Sequence, residues 1–319
     1  DVDAAFPNAR KGDIFDYLVA TFHPTQDAGR GAFARSRFFL KVQDGCNHRC
    51  TYCIVWRTRG ESRSGEEETL LERARQAVAE GYGEIVLTGV DLGSFGRERG
   101  GAFAPFVSRM LEAIAPARLR LSSVNANDFT PELVELAAEP RFCRHLHIPL
   151  QSGSDNVLKR MGRLYRRRGY ADLVHALRAR VPDMALTTDV IVGFPGETDA
   201  DFAETQAVAA ESAFSGMHVF RYSPRAGTAA PRLGPPAADP VSQARSYRLK
   251  EQAETQRRSY EAGFINRSLE VLWDRRFPNR VRGLSDNYIS VYAPPREQRL
   301  GTLATVLPLA ATDDGLLVS

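Results

Sequence analysis

Cysteine is scarce in this chain, four in 319 residues, and lysine is nearly as rare, present only as Lys11, Lys41, Lys159 and Lys250 among 42 basic residues. The low cysteine count excludes a disulfide-stapled secreted scaffold, which spreads many cysteines in even number along the chain. The lysine shortage reads as biased base composition rather than selection for bidentate phosphate contacts. No apolar run approaches the 18 or so residues of a membrane span, and the first residues lack the basic-then-apolar order of a signal peptide. A soluble, cytoplasmic protein with no membrane partner is expected. Net charge is only +3, so a nucleic-acid partner has to be argued from local patches. With 43% hydrophobic and 25% charged residues the chain can bury a core. It contains no internal repeat and no low-complexity tract.

Three of the four cysteines are concentrated in one place, as Cys46, Cys50 and Cys53 in the run Asp44-Gly45-Cys46-Asn47-His48-Arg49-Cys50-Thr51-Tyr52-Cys53. Three thiols so close in sequence can converge on one metal centre in a reducing compartment. A structural zinc site wants four closed ligands, usually from two separated pairs, and no second pair exists here. His48 is the remaining zinc candidate, but it would share an already crowded loop. Soft thiolates also select iron-sulfur clusters, which ordinarily take four cysteines. A cluster held by three would leave one iron open.

Hydrophobic patterning divides the chain into segments. Residues 1–36 show no sustained period and read as a linker or the remnant of another domain; the chain starts at Asp1, so it could be a fragment. From Arg37, strands alternate with helices: strands over 38–42, 84–88, 119–124, 144–150, 185–192 and 217–222, helices over 66–80, 103–114, 130–138, 155–161, 170–180 and 199–212. Six such units predict a parallel sheet with helical crossovers over residues 37–240. Pro224 to Pro240 breaks the pattern, and a polar connecting helix follows, roughly Val241 to Phe264 within residues 241–266. Short strands over 269–273, 281–284, 288–292, 300–307 and 316–318 predict a small antiparallel barrel in residues 267–319.

The C-x3-C-x2-C triplet with Tyr52 before its last cysteine resembles the signature of radical S-adenosylmethionine (SAM) enzymes. Further matches are Leu87-Thr88-Gly89-Val90-Asp91-Leu92-Gly93-Ser94-Phe95-Gly96, His147-Ile148-Pro149-Leu150-Gln151-Ser152-Gly153-Ser154 and Leu158-Lys159-Arg160-Met161-Gly162-Arg163. With Asp189-Val190-Ile191-Val192-Gly193-Phe194-Pro195-Gly196-Glu197-Thr198 and His218-Val219-Phe220-Arg221-Tyr222-Ser223-Pro224-Arg225, they are similar to the methylthiotransferase branch of that superfamily. The resemblance runs from Arg37 to the end of the chain. It implies an α/β fold, an open (β/α)6 partial TIM barrel with a small C-terminal antiparallel β-barrel of TRAM type, and chemistry at the C-terminal strand ends.

Carried onto these positions, the resemblance implies that Cys46, Cys50 and Cys53 ligate a [4Fe-4S] cluster whose fourth iron chelates SAM. One electron would cleave SAM to methionine and a 5'-deoxyadenosyl radical. Tyr52 and Gly89 would lie near SAM, Gly89 at its methionyl amine, and Val192, Gly193 and Phe194 near its adenine. Arg160 or Arg163 would hold the SAM carboxylate through a charge-assisted fork, and Gln151 would reach the ribose. An ordinary strand-to-helix turn at Gly193 and a solvated basic face at the arginines stay open as the bland readings. Cys143 reads as a small buried apolar residue.

The terminal barrel resembles the RNA-binding TRAM module. Trp273, Arg275, Arg276, Phe277, Arg280 and Arg282 interleave aromatic and cationic groups in the way looped RNA is gripped. Asp286-Asn287-Tyr288-Ile289-Ser290-Val291-Tyr292 and the Thr88 to Gly93 turn look most like the enzymes acting on N6-threonylcarbamoyladenosine beside the tRNA anticodon. The alternatives are isopentenyladenosine in tRNA, an aspartate of a ribosomal protein, or a non-catalytic tRNA-binding module. The resemblance further implies the tRNA anticodon stem-loop, an electron donor such as a flavodoxin or ferredoxin, and a sulfur donor as partners. Full-length relatives carry a preceding domain with three more cysteines for an auxiliary cluster, and none of these is among the 319 residues. The expectation is therefore SAM cleavage without completed sulfur insertion.

Overall fold

A computed structural model of the chain describes residues 36–295 and 300–318, with residues 6, 10, 13, 14, 17 and 21 before them. The segment read as a linker or remnant lies almost wholly outside the described residues.

β1 (Arg37–Lys41) leads into a two-residue hairpin, β2 (Gln43–Asp44) with β3 (Arg63–Ser64), that closes the cysteine loop and its short helix α1 (Val55–Arg59). The alternating series follows: α2 (Glu67–Ala79), β4 (Glu84–Thr88), α3 (Phe103–Ala113), β5 (Arg118–Leu121), α4 (Pro131–Leu136), β6 (His145–His147), α5 (Asp155–Met161), α6 (Arg167–Arg180), β7 (Ala185–Val192), α7 (Asp199–Ser212) and β8 (Gly216–Arg221). The helices form where expected because each presents an apolar face and a start signal. α2 buries Leu70, Leu71, Ala74 and Ala77 behind acidic residues in its first turn. In α7, Thr198 and Asp201 close a reciprocal capping box, and α4 opens with Thr130 accepting from the Leu133 N–H and Pro131 in its first turn.

The strands pair in parallel as β1-β4-β5 and β6-β7-β8. Parallel bridges at Leu119–Phe142 and Ser123–His147 carry the series from one half to the other. β1 and β8 end the series without pairing with each other, which agrees with an open barrel of six parallel strands. Two of the expected strands are shorter. The one foreseen over 144–150 stops at His147, because Pro149 has no N–H to donate and Leu150 N–H turns to the Thr188 hydroxyl at 2.8 Å. Alternation along β1 sends Leu40 into the core beneath the helices and leaves Phe39 47% exposed toward the barrel lumen.

A 24-residue helix, α8 (Asp239–Ala262), joins the barrel to a six-stranded sheet. Its strands are β9 (Leu269–Arg276), β10 (Val281–Ser285), β11 (Ser290–Ala293), β12 (Leu303–Val306), β13 (Ala310–Thr312) and β14 (Gly315–Leu317), in the order β12-β9-β10-β11-β14-β13. Two features correct the expectation of a purely antiparallel barrel: β11 and β14 run parallel, and β13 was not foreseen.

The small sheet packs under the N-terminal ends of the barrel strands through polar groups. Glu84 on β4 accepts from Arg118 Nε at 2.6 Å and Arg120 Nε at 2.8 Å, all three side chains being at most 3% exposed. The same guanidinium groups donate to the backbone oxygens of Leu284 (2.8 Å), Ser285 (3.0 Å) and Asp286 (3.1 Å). Arg144 forks onto Asp286, and the Tyr288 ring stacks on His145 at 4.1 Å. Burial pushes the His145 imidazole well below its usual range, and Arg120 adds to that shift.

Candidate active site

The cysteine loop leaves β1 at the C-terminal mouth of the barrel, where the strand ends place the ligand-facing groups. Gln43 organises its first half. Its side-chain nitrogen lies within hydrogen-bonding reach of the Asp44 and Gly45 oxygens and of Ser62, while its oxygen accepts from Asp91 N–H at 2.8 Å. Gly45 adopts φ +74°, and a Cβ there would sit 1.9 Å from the Glu61 oxygen. Only glycine fits. The second half is tied to α5: Thr51 N–H donates to Met161 O at 3.0 Å and its hydroxyl to Arg160 O at 2.9 Å. Gly45→Ala should therefore displace the loop and cost about 2 kcal/mol or more. Iron uptake on reconstitution checks this: full loading by the variant would mean the loop is not held in this way.

Burial, with Asp91 adding to it, pushes the Cys46 thiol up to about 12, and burial raises Cys53 as well. Loading a metal centre here must displace thiol protons. A single zinc ion holds its thiolates at about 2.3 Å, which brings the sulfurs within about 4 Å of each other. Among the described residues the three thiols do not gather within 4.8 Å of one another, whereas His48, Asp91 and Asp128 do. As they stand, the three thiols are not gathered as one tetrahedral ion would hold them. In the second group, His48 Nε2 lies 3.4 Å from Asp91, close enough for charge pairing though out of line for a hydrogen bond. The Asp91 carboxylate raises the His48 pKa. Arg97 already meets Asp128 at 2.8 Å, supplying the charge a cation would have to displace.

Arg163 connects the cysteines to the neighbouring strand ends. Its Nη1 lies 3.5 Å from Cys50 Sγ and its Nη2 donates to Asn125 at 2.6 Å, while Asn125 donates to Asp91 at 3.0 Å. Burial opposes the charge, but Tyr165, Tyr52 and Cys50 raise its pKa, so it remains a fixed cation beside the cysteines.

Down the lumen, Thr187 on β7 sits 3.0 Å from both His145 Nε2 and His147 Nδ1, and His147 Nε2 lies 3.3 Å from Asp189. Above them is a cavity of about 310 Å³ lined by Tyr52, Gln151, Asp189, Phe220, Arg225 and their neighbours. Gln151 holds φ +61°, a conformation few side chains adopt, and donates its N–H to Asp189 O at 2.8 Å.

Tyr52 and Gln151 line one cavity, and Cys46, Cys50 and Cys53 share the loop that carries Tyr52. Other expected residues stand differently. The space at Gly89 is filled by Gln43, 2.9 Å from where a Cβ would be. Arg160 is spent on backbone oxygens, Pro195 at 3.0 Å and Leu233 at 2.7 Å, so Arg163 is the better placed of the two arginines. The Val192 and Phe194 side chains are buried, Phe194 against Tyr52 and Tyr222, and offer no open face to a flat base. Gly193 borders a second cavity of about 630 Å³ between β8 and α8.

On the small sheet Trp273 is 2% exposed within the core, so its expected place on an RNA-facing surface is corrected. β-strand alternation put it inward. Arg282 is held by Asp274 in a bidentate pair at 3.0 and 2.7 Å. The structure does bring Arg275, Phe277 and Arg280 together at the β9–β10 turn, both cations over the Phe277 ring at 6.0 and 5.4 Å, with Arg276 exposed beside them. Cys143 is buried as expected, though its thiol also donates to Glu84 at 3.8 Å. Gln43, Asn125, Asp189 and Phe220 were missed. Period-two alternation marks Asp189 and Phe220 as facing the same side as other polar residues of β7 and β8, a signal too weak to name a site.

Residues 40–209 match the model of the radical SAM superfamily. The chain is 38% identical to the threonylcarbamoyladenosine tRNA methylthiotransferase MtaB of Thermotoga maritima, covering 92% of this chain and 68% of the relative. It is 39% identical to MtaB of Bacillus subtilis over 87% of this chain and 63% of that relative, so it spans about two thirds of the length of both. The solved coproporphyrinogen III oxidase HemN of Escherichia coli, described as a radical SAM enzyme, aligns with a TM-score of 0.50 at 17% identity. That alignment covers 70% of this chain and 53% of HemN, a likeness of fold alone.

Proposed function

Because the chain belongs to the radical SAM superfamily and, within it, to the tRNA methylthiotransferases, we propose that it acts on N6-threonylcarbamoyladenosine next to the tRNA anticodon, in methylthiolation of C2 of the base. The observation that carries the enzymatic reading is the loop of three thiols at the barrel mouth with no fourth cysteine beside them, and the likeness to the MtaB relatives supports the choice of nucleoside. Cys46, Cys50 and Cys53 would hold a [4Fe-4S] cluster. When bound, the cluster and SAM supply a one-electron cleavage that yields a 5'-deoxyadenosyl radical.

This chain's own residues do the positioning. Arg163, fixed by Asn125 beside Cys50, is an electrostatic partner for the SAM carboxylate. Gln151 and Tyr52 line the cavity the cofactor and substrate would share, and Phe220 supplies it with an aromatic face. The cluster of exposed Arg275 with half-buried Phe277 and Arg280, the last already paired with Asp314 at 3.2 Å, suits contact with looped RNA through Arg275 and the Phe277 ring, in keeping with a TRAM-like role for the small sheet. A tRNA substrate argues for the cytoplasm, and among the described residues no helix is long and apolar enough to cross a membrane. The 319 residues carry one cysteine triplet, so ligands for an auxiliary sulfur-donating cluster are not among them.

Anaerobic reconstitution with iron and sulfide, reduction in the presence of SAM, and chromatography for 5'-deoxyadenosine provide the test. About four irons per chain with the nucleoside formed is the expected result. Zinc, or no metal and no cleavage, would refute the enzymatic reading in favour of an RNA-binding module.

A further inference from the structure

Arginines around the barrel mouth are mostly spent. Arg221 pairs with Asp239 at 2.8 Å, Arg63 reaches Asp44 at 3.5 Å, Arg160 is tied to backbone oxygens, and Arg49 and Arg57 lie over the Trp56 ring. Arg225 differs. It lines the lumen cavity, is exposed, and among the described residues its guanidinium has no hydrogen bond, ion pair or ring contact; only its backbone oxygen is used, by Thr228.

The same cavity is bordered by Phe220, 51% exposed although it sits on a barrel strand, with the His218 ring nearly parallel to it. The one carboxylate lining the cavity, Asp189, is already faced by His147 at 3.3 Å, so its charge is partly answered within the protein. An uncommitted cation and an uncovered aromatic ring on one cavity fit a flat base that carries an anionic substituent.

We infer that the lumen cavity is the target-base subsite, with Phe220 stacking the adenine and Arg225 taking the carboxylate of its N6 substituent. This rests on the threonylcarbamoyladenosine reading and makes Arg225 the specificity-determining residue. An isopentenyl group is neutral and apolar and would leave that guanidinium unanswered, whereas a threonylcarbamoyl group ends in a carboxylate that a guanidinium can grip with two parallel hydrogen bonds.

The test is fluorescence-anisotropy titration of the full chain with anticodon hairpin RNAs that differ only in the N6 group of the target adenine: threonylcarbamoyl, its carboxylate methyl ester, and isopentenyl. The wild type should bind the free carboxylate about tenfold more tightly than the ester. Arg225→Gln should erase that preference and leave affinity for the ester hairpin within about twofold, since it removes only a charge-assisted bond. Phe220→Ala should weaken all three hairpins alike, by about tenfold, the usual worth of one stacked base. If Arg225→Gln weakened every hairpin equally, Arg225 would be holding a backbone phosphate and the inference would be overturned; so would a carboxylate preference that survives the substitution. A wild-type chain that favoured the isopentenyl hairpin, or bound none, would instead refute the substrate reading itself and the inference with it. Arg225 holds nothing within the protein, so its substitution should not unfold the chain, and matched thermal melts of wild type and variant check this.

Discussion

Cys50→Ala is expected to take iron loading from about four per chain to background and to reduce SAM cleavage by at least about 100-fold. Cys50 is the buried member of the triplet and the one that Arg163 approaches, so its loss removes a ligand and leaves a buried cation facing an empty position. Cys143→Ala is the matching control. That thiol is buried beside Glu84, low in the barrel and outside the triplet loop, where no other cysteine accompanies it. Iron and cleavage should survive the Cys143 change. Retention of four irons by Cys50→Ala would sink the assignment of the triplet as the cluster site.

Glu84→Gln should destabilise the protein by about 3–5 kcal/mol, because two buried guanidinium groups would lose the carboxylate they share. Chemical denaturation of wild type and variant measures the difference, and a cost below about 1 kcal/mol would show that the backbone oxygens of the small sheet suffice for both arginines. The effect carries a pH signature. Burial alone would raise the Glu84 pKa, but Arg120 and Arg118 hold it down to about 2, below the ordinary 4.5. A carboxylate depressed in the folded state contributes stability that is fully present above the unfolded pKa and is lost as pH falls through the folded one. Wild type should shed this contribution between about pH 4.5 and 2, and the variant should have none to shed there. Because these arginines also donate to Leu284, Ser285 and Asp286, the same substitution should loosen the small sheet from the barrel.

Much of the fold is legible in the sequence. Strands over 84–88 and 185–192 and helices over 155–161 and 199–212 lie where periodicity put them, because each segment's apolar spacing, caps and glycine or proline boundaries agree. The misses arise where tertiary hydrogen bonding overrides local preference. Pro149 ends β6 early, β13 forms on the short exposed segment Ala310–Thr312 because β14 offers it an edge, and the β2–β3 hairpin depends on Gln43 reaching across the loop.

The candidate site divides the same way. Spacing alone brought Cys46, Cys50 and Cys53 together, since thiols within eight residues of each other can converge whatever surrounds them. Local sequence could not say which arginine faces the cysteines, and the fold chose Arg163 by spending Arg160 on Pro195 and Leu233. Nor could it say that Trp273, read as an RNA contact, would pack into the small sheet's core while Phe277 stayed at a turn with Arg275 and Arg280. By itself the sequence determined the element order, the parallel α/β class and the triplet, because these follow from periodicity and short-range spacing. Only the tertiary structure decided which polar side chains remain unspent, Arg225 above all, because a side chain is committed or free according to groups brought beside it from distant parts of the chain.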